Sequence, residues 1–184
     1  MRIISGKYKG RQLQSAKDQS IRPTTNKIKE YIFELIGGFV NESVALDLFC
    51  GSGSLGLESL SRGASNVTFV DSAQSSLRVL RRNIGILKVE EPFKILRKDS
   101  LMFLKSNRQP FDLVFADPPY QWADFDRLFS MMFKKTNLSE TGLFVLECEK
   151  TVELPVNSDK WELLRQKHFD RTVISFFSRK GIVE

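Results

Sequence analysis

The sequence is short of the residues that build disulfide frameworks and metal centres. It has two cysteines, Cys50 and Cys148, and one histidine, His168. Two thiols are too few for a disulfide scaffold or a cysteine-rich zinc site, and a lone imidazole has no partner cluster. A reduced, cytoplasmic setting is therefore the default expectation. No run of eighteen apolar residues occurs, which excludes a membrane-spanning helix. The start, Met1-Arg2-Ile3-Ile4-Ser5-Gly6, lacks the apolar region and small-residue cleavage site of a secretory signal. Acid is scarce at one end only. Residues 1–30 carry eight Lys/Arg (Arg2, Lys7, Lys9, Arg11, Lys17, Arg22, Lys27 and Lys29) against Asp18 and Glu30, leaving twenty of each sign in the other 154 residues. Cations displace condensed counterions from nucleic acid. The basic stretch thus reads either as a solvated tail or as a phosphate-binding arm on a neutral body.

What is present suits one domain with a real core: 184 residues, 41% of them hydrophobic and 27% charged. Residues 2–14 alternate loosely around Gly6 and Gly10 and predict short strands or a hairpin. Residues 15–23 read as an extended linker ending in Arg22-Pro23. A helix capped by Thr24 or Thr25 follows, with Ile28, Ile32, Leu35 and Ile36 at helical spacing and Gly37-Gly38 as its stop. From Val44 the pattern alternates strand and helix. Strands are predicted at 44–48, 67–70, 93–96, 113–116 and 143–147, with helices between them, one capped by Ser72 and one near 124–135. Two last strands over 161–169 and 172–178 join through Asp170-Arg171. Such alternation implies a mostly parallel sheet covered on both faces. Ligands in such sheets sit at the carboxyl ends of the strands. Asp47, Asp71, Asp99 and Asp117 each fall at or just after a predicted strand end, facing one crevice.

Two motifs carry the chemistry. Residues 47–56, Asp-Leu-Phe-Cys-Gly-Ser-Gly-Ser-Leu-Gly, form a nucleotide-cradling loop in which Phe49 precedes the glycines. Gly51, Gly53 and Gly56 match G-x-G-x-x-G, and Asp71 lies twenty residues after Gly51. That is also the dinucleotide fingerprint, so an NAD enzyme competes. Asp47 would crowd a pyrophosphate but suit the cationic aminoacyl part of S-adenosylmethionine, and Asp71 could bind a ribose diol with either cofactor. The second motif is Asp117-Pro118-Pro119-Tyr120. An exocyclic amine is a poor nucleophile because its lone pair is delocalised into the ring. Asp117 and the Pro118 carbonyl could hold its N–H groups, the prolines fix the backbone, and Tyr120 offers a stacking face. Methyl transfer from a sulfonium needs no metal and no covalent enzyme intermediate. Hydride transfer has no evident use for this corner.

Together these motifs resemble the class I S-adenosylmethionine-dependent methyltransferases. More narrowly, the chain is similar to the bacterial family that methylates the exocyclic N2 of a guanine in 16S ribosomal RNA. The resemblance rests on Gly-Lys-Tyr-Lys-Gly-Arg-Gln-Leu at 6–13, Arg22-Pro23-Thr24, Lys27-Ile28-Lys29-Glu30, residues 47–58, Asp99-Ser100 and residues 117–120. The Arg-Pro-Thr lead-in is the part most particular to that family. The resemblance implies a Rossmann-like fold with a mostly parallel seven-stranded sheet, one strand antiparallel. It further implies a basic RNA-binding extension over residues 1–40 and a methyltransferase domain over 41–184. It assigns Asp47, Phe49, Gly51 and Gly53 to the methionine end of the cofactor, Asp71 to the ribose, and Asp99 and Ser100 to the adenine. Asp117, Pro118 and Tyr120 become catalytic, and Lys7, Lys9, Arg11, Arg22, Thr24, Lys27 and Lys29 contact RNA. The partner implied is 16S ribosomal RNA or the assembling small subunit, with no membrane. Asn26 departs from a usual acid, and Lys27 and Lys29 from usual arginines, which bears on RNA contacts rather than on the chemistry. Two alternatives stay open. An adenine-N6 DNA methyltransferase shares Asp-Pro-Pro-Tyr but generally adds a target-recognition region. A non-enzymatic RNA-binding assembly factor would show a damaged loop or a lost carboxylate. A protein-glutamine methyltransferase would more typically carry Asn in place of Asp117.

Overall fold

The computed structural model describes residues 1–15, 25–156 and 158–181. Arg22 and Thr24, expected to touch RNA, lie outside the described residues, as does most of the linker expected over 15–23. The first helix, α1 (Asn26–Ile36), begins where a threonine can cap it: Thr25 Oγ1 accepts from the Ile28 N–H at 3.3 Å. It ends at Gly37, whose φ of 55° suits glycine. Its buried stripe is Ile28, Lys29, Ile32, Phe33 and Ile36. Leu35, expected on that stripe, is 39% exposed. At 3.6 residues per turn the stripe runs from position 28 through 32, 36 and 29 to 33, and position 35 falls just outside its edge, next to 28.

Seven strands follow among the described residues: β1 (Val44–Leu48), β2 (Asn66–Asp71), β3 (Phe93–Arg97), β4 (Phe111–Ala116), β5 (Leu138–Glu149), β6 (Trp161–Phe169) and β7 (Thr172–Arg179). Their order is β3-β2-β1-β4-β5-β7-β6, and β7 alone runs against the direction of the rest. Helices α2 (Ser54–Ser61), α3 (Gln74–Leu87), α4 (Ser100–Ser106) and α5 (Phe125–Met132) connect the parallel strands. The sheet reverses its winding between β1 and β4, so the loops after those two strands open onto one crevice. These loops are the glycine loop and the 117–120 corner.

Strand residues alternate between two cores, as a period of two requires. Ala45, Val67, Phe69, Leu113 and Phe115 join one, with α1, α2 and α3. Leu46, Leu48, Val70, Val114 and Phe144 join the other, with α4 and α5. Phe129 of α5 centres the second core, edge-on to Phe177 at 4.9 Å between centroids and near Trp161 at 5.4 Å.

The N-terminal hairpin is a short antiparallel pairing of Arg2 with Gln12, with Ile3 N–H donating to Arg11 O and Leu13 N–H to Met1 O, both at 2.9 Å. Two local expectations are corrected. Ser72 does not cap α3; Ala73 holds that position, and Asp71 Oδ1 accepts its N–H at 2.8 Å. β5 starts at Leu138, ahead of the apolar run at 143, because an irregular register lets Phe111 pair with Leu138 while Leu113 pairs with Leu143.

The N-terminal segment is locked to the body through one carboxylate. Glu58 of α2 is fully buried. It accepts from Ile4 N–H at 2.9 Å, Ser5 N–H at 3.0 Å and Arg62 Nε at 2.8 Å, and it pairs with Lys29 Nζ at 3.2 Å. Lys29 Nζ also donates to Arg2 O at 2.6 Å and Ser54 Oγ at 3.2 Å. Burial pulls the Lys29 ammonium below its ordinary pKa, with Glu58 opposing. Arg62 lies over the Phe33 ring at 4.7 Å, pinning α1 to α2.

Removing one partner of a buried pair is more damaging than the pair is stabilising. Glu58→Gln should therefore lower the unfolding free energy by about 3–5 kcal/mol. Lys29→Met should cost less, because Glu58 keeps Arg62 and two backbone donors. Urea titration of both variants checks this, and a neutral Glu58→Gln would show that the segment is held elsewhere.

Candidate active site

Asp47 sits inside β1, under the glycine loop, and is almost completely buried. Its Oδ2 accepts the Gly56 N–H of α2 at 2.9 Å. The chain then turns sharply: Phe49 at φ 55°, Gly51 at φ 53° and Gly53 at φ 80° are left-handed. For Phe49 that conformation is strained and is held by its surroundings. The glycines also answer to packing. A Cβ on Gly53 would strike Leu80, and one on Gly56 would strike the Phe69 ring. Asp71, at the end of β2, accepts the Gly51 N–H through Oδ2 at 2.9 Å and thereby ties the loop to the start of α3.

The 117–120 corner leaves β4 beside this loop and divides two cavities. One, of about 210 Å³, is lined by Phe49, Gly51, Asp71, Ser72, Ala73 and Ser76 on one side and by residues 117–120 on the other. The second, of about 270 Å³, is lined by the same four corner residues with Gln121, Trp122, Phe125, Glu147, Cys148 and Glu149 among others. Pro118 is buried and Tyr120 is half exposed, at 46%. Phe49 meets Trp122 edge-on at 5.2 Å, and Trp122 meets Phe125 at 4.9 Å, so an aromatic run backs the corner. Trp122, Gln121 and Glu149 were not singled out from sequence. Trp122, two residues after Tyr120, was the available signal.

Asp71 and Asp117 line the first cavity, whereas Asp47 is buried near them without lining it. Burial pushes the Asp47 carboxyl well above the usual range, and the nearby charges of Asp117 and Asp71 push the same way against the Gly56 hydrogen bond. Burial, then Asp47 and Asp71, raise the Cys50 thiol. Burial and the surrounding carboxylates push Cys148 up to about 12. Both thiols are thus held neutral, which removes them as nucleophiles. Three neighbouring carboxylates suit a ligand that brings positive charge. A pyrophosphate would add to the repulsion, which argues against the dinucleotide reading of the loop.

The remaining sequence candidates scatter. Asp99 is exposed and caps α4, accepting from Met102 N–H at 2.9 Å, and Ser100 is buried in the first turn. Neither lines the two cavities. Lys9 and Lys27 are not buried. Lys7 pairs with Glu90 at 2.9 Å and Glu91 at 2.8 Å. Burial disfavours the Glu91 carboxylate, but Lys7 and the Tyr8 hydroxyl hold it down at about 2. Arg11 is exposed yet donates to Leu87 O at 2.7 Å. Lys29 is a correction: its ammonium is buried on Glu58 and cannot reach a phosphate on the surface. Asn26, one of the departures, accepts from the Arg2 N–H at 3.4 Å.

Comparison with known proteins agrees with this geometry. The family model described as conserved hypothetical protein 95 matches residues 1–178. The chain is 35% identical over 170 residues to the ribosomal RNA small subunit methyltransferase D of Haemophilus influenzae, covering 91% of this chain and 88% of that one. It superposes on the solved structure of the Escherichia coli protein yhhF with a TM-score of 0.86 and 28% identity, covering 98% of each. A more distant fold match, at 16% identity and a TM-score of 0.72 over 88% of this chain and 50% of the other, is named as a methyltransferase complexed with S-adenosylhomocysteine.

A carboxyl whose folded pKa lies above its ordinary 3.8 weakens the fold once the unfolded form ionises. The stability is whole below about pH 3.8 and is lost as pH rises toward the raised folded value. Asp47→Asn should therefore melt higher than the parent at pH 7, by about 2–4 °C for each kcal/mol relieved. The gain should vanish near pH 4, and binding of S-adenosylhomocysteine should weaken. Melting scans across pH test this; equal melting at pH 7 would mean the buried charge imposes no strain.

Proposed function

Because the chain belongs to the family described as conserved hypothetical protein 95, we propose that it uses S-adenosylmethionine to methylate the exocyclic N2 of a guanine in 16S ribosomal RNA. The observation that carries this reading is the shared wall. Residues 117–120 line both an acid-rich cavity under the glycine loop and a second cavity backed by Trp122 and Phe125. A donor on one side and a planar acceptor on the other would meet across Asp117 and Pro118.

The residues present fit the cofactor. Gly51 and the loop beside Asp47 would hold its cationic aminoacyl end and Asp71 the ribose diol, while Asp99 and Ser100, expected at the adenine end, lie outside that cavity. When bound, S-adenosylmethionine supplies an electrophilic methyl group on a sulfonium. The chain's own task is to aim the amine. Asp117 accepts one N–H of the guanine amine and the Pro118 carbonyl accepts the other, so the nitrogen lone pair points toward the cofactor cavity. Two consecutive prolines fix φ near −65°, so the carbonyl is aimed before the base arrives. Tyr120 stacks on the base. Asp117 need not be a strong base, since the proton becomes acidic once nitrogen carries the methyl.

The extension over residues 1–40 grips RNA through phosphates in this reading, with Lys9, Lys27, Arg11 and the segment around Arg22 as its cationic face. Phosphate contacts position the substrate without reading its sequence. Lys7 is largely neutralised by Glu90 and Glu91, and Lys29 serves the fold.

Asp117→Ala should leave S-adenosylhomocysteine binding intact and reduce methyl transfer by about 100-fold or more, as for loss of a group that acts in the transition state. Tyr120→Ala should act on the base, with stacking worth about 1–3 kcal/mol. Mass spectrometry of digested RNA should find N2-methylguanine. N6-methyladenine as product, or full activity in Asp117→Ala, would overturn the assignment.

Replacing Lys9, Arg22 and Lys27 by Ala should weaken RNA binding uniformly across sequences. It should flatten the salt dependence by about 0.7–0.9 in log–log slope for each phosphate no longer neutralised. Titrations at several salt concentrations measure this, and unchanged slopes would return the basic stretch to a solvated surface.

A further inference from the structure

The second cavity contains a carboxylate that orienting an amine does not require. Glu149 is the last residue of β5, half-buried, and lines the cavity together with residues 117–120. Its Oε1 accepts the Gln121 N–H at 3.3 Å. Gln121 follows Tyr120 directly and holds a left-handed φ of 63°, a conformation costly for a residue with a Cβ and kept only where the surroundings impose it. Glu149 is thus tied to the corner, so its position is fixed relative to Asp117 and Tyr120. At about 270 Å³ the cavity suits one planar heterocycle rather than a larger ligand.

We infer that Glu149 is a specificity-determining residue that accepts the N1–H of the target guanine. The inference rests on the guanine reading above. Guanine places two kinds of donor side by side on one edge, N1–H and the N2 amine. A base whose amine sits at Asp117 turns its N1 position toward the rest of the cavity, where an acceptor is needed. Ionised carboxylates only accept. Adenine carries an unprotonated N1, an acceptor, which would face Glu149 with like polarity and leave the carboxylate without a donor. A site built around a substrate N–H rejects the analogue that lacks it far more strongly than an apolar pocket rejects a change of size. Glu149 would thereby supply the discrimination between amines that the Asp-Pro-Pro-Tyr corner lacks, since that corner can accept N–H groups from either purine.

The test uses the full chain and a small-subunit RNA fragment carrying the mapped target nucleotide. That nucleotide is either guanine or 2-aminopurine, which keeps the N2 amine but has no N1–H. Two readouts are taken: kcat/KM for methyl transfer, and RNA affinity with S-adenosylhomocysteine present, where no turnover occurs. The parent protein should prefer guanine by about tenfold or more in both. In Glu149→Gln the amide oxygen can still accept from Gln121 N–H, which turns the amide NH₂ toward the base. That variant should lose the preference or favour 2-aminopurine, whose N1 accepts, while melting close to the parent. Glu147→Gln, in the same cavity, should leave the preference in place. An undiminished guanine preference in Glu149→Gln, or a preference that moves with Glu147 instead, would overturn the inference. A parent that makes no N2-methylguanine fails the underlying reading instead, so the two failures are told apart by the product.

Discussion

The arrangement of the whole N-terminal third depends on one buried anion. Glu58 stands on α2 with no access to water, and an isolated carboxylate in such a place would be prohibitively unfavourable. Two amides of the first segment, an ammonium from α1 and a guanidinium one turn along α2 meet that demand together. Losing the anion strands a buried ammonium, whereas losing one donor leaves three others on the carboxylate. The basic extension is therefore packed into the same core as the sheet, with Ile3, Tyr8, Ile32 and Phe33 beside Leu57 and Phe69. Part of its charge, on Lys29, is internal to the fold, while Lys9 and Lys27 face solvent.

The crevice solves the opposite problem. Where Glu58 is satisfied by cations of the chain itself, Asp47 has an amide and two like-charged neighbours. A fold that keeps such a cluster stores electrostatic strain in its free form and releases it on a positively charged ligand. Placing Asp47 at the heart of the sheet, where β1 is flanked on both sides, denies it the water that would screen the repulsion. The neutral Cys50 beside it follows first from burial and then from the same field.

The alternation of strand and helix was legible because each element is short and its apolar residues keep a strict period. The mostly parallel sheet and its crevice followed from that pattern, the single antiparallel strand came with the family resemblance, and the strand order is known only from the structure. The misread positions share a cause, which is that tertiary contacts decide them. Leu35 fits a helical repeat, yet the stripe is set by Lys29 and Phe33, and nothing local shows that a lysine will be buried against an acid on another helix. Ser72 is a good cap in isolation, but Asp71 takes the Ala73 amide and the helix starts one residue later. The polar start of β5 resembles a turn until the irregular register beside Phe111 is known. At the site, Asp71 and Asp117 were legible from motif spacing. Glu149 was hidden in the ordinary alternation of a strand, and only the Gln121 contact distinguishes it.

The glycines of the loop have a consequence for how such chains diverge. Gly56 is backed by the Phe69 ring with no room for a methyl group, and Gly53 holds a left-handed φ of 80° that disfavours any side chain. Their retention is thus enforced by the fold itself, whether or not anything is bound above. A descendant that abandoned methylation would still need both glycines to close its core, and its loop would look intact. Loss of chemistry would be recorded first at Asp47, whose charge burdens the fold and whose replacement would relieve it. In this architecture the acid beneath the loop is a more sensitive record of function than the loop itself.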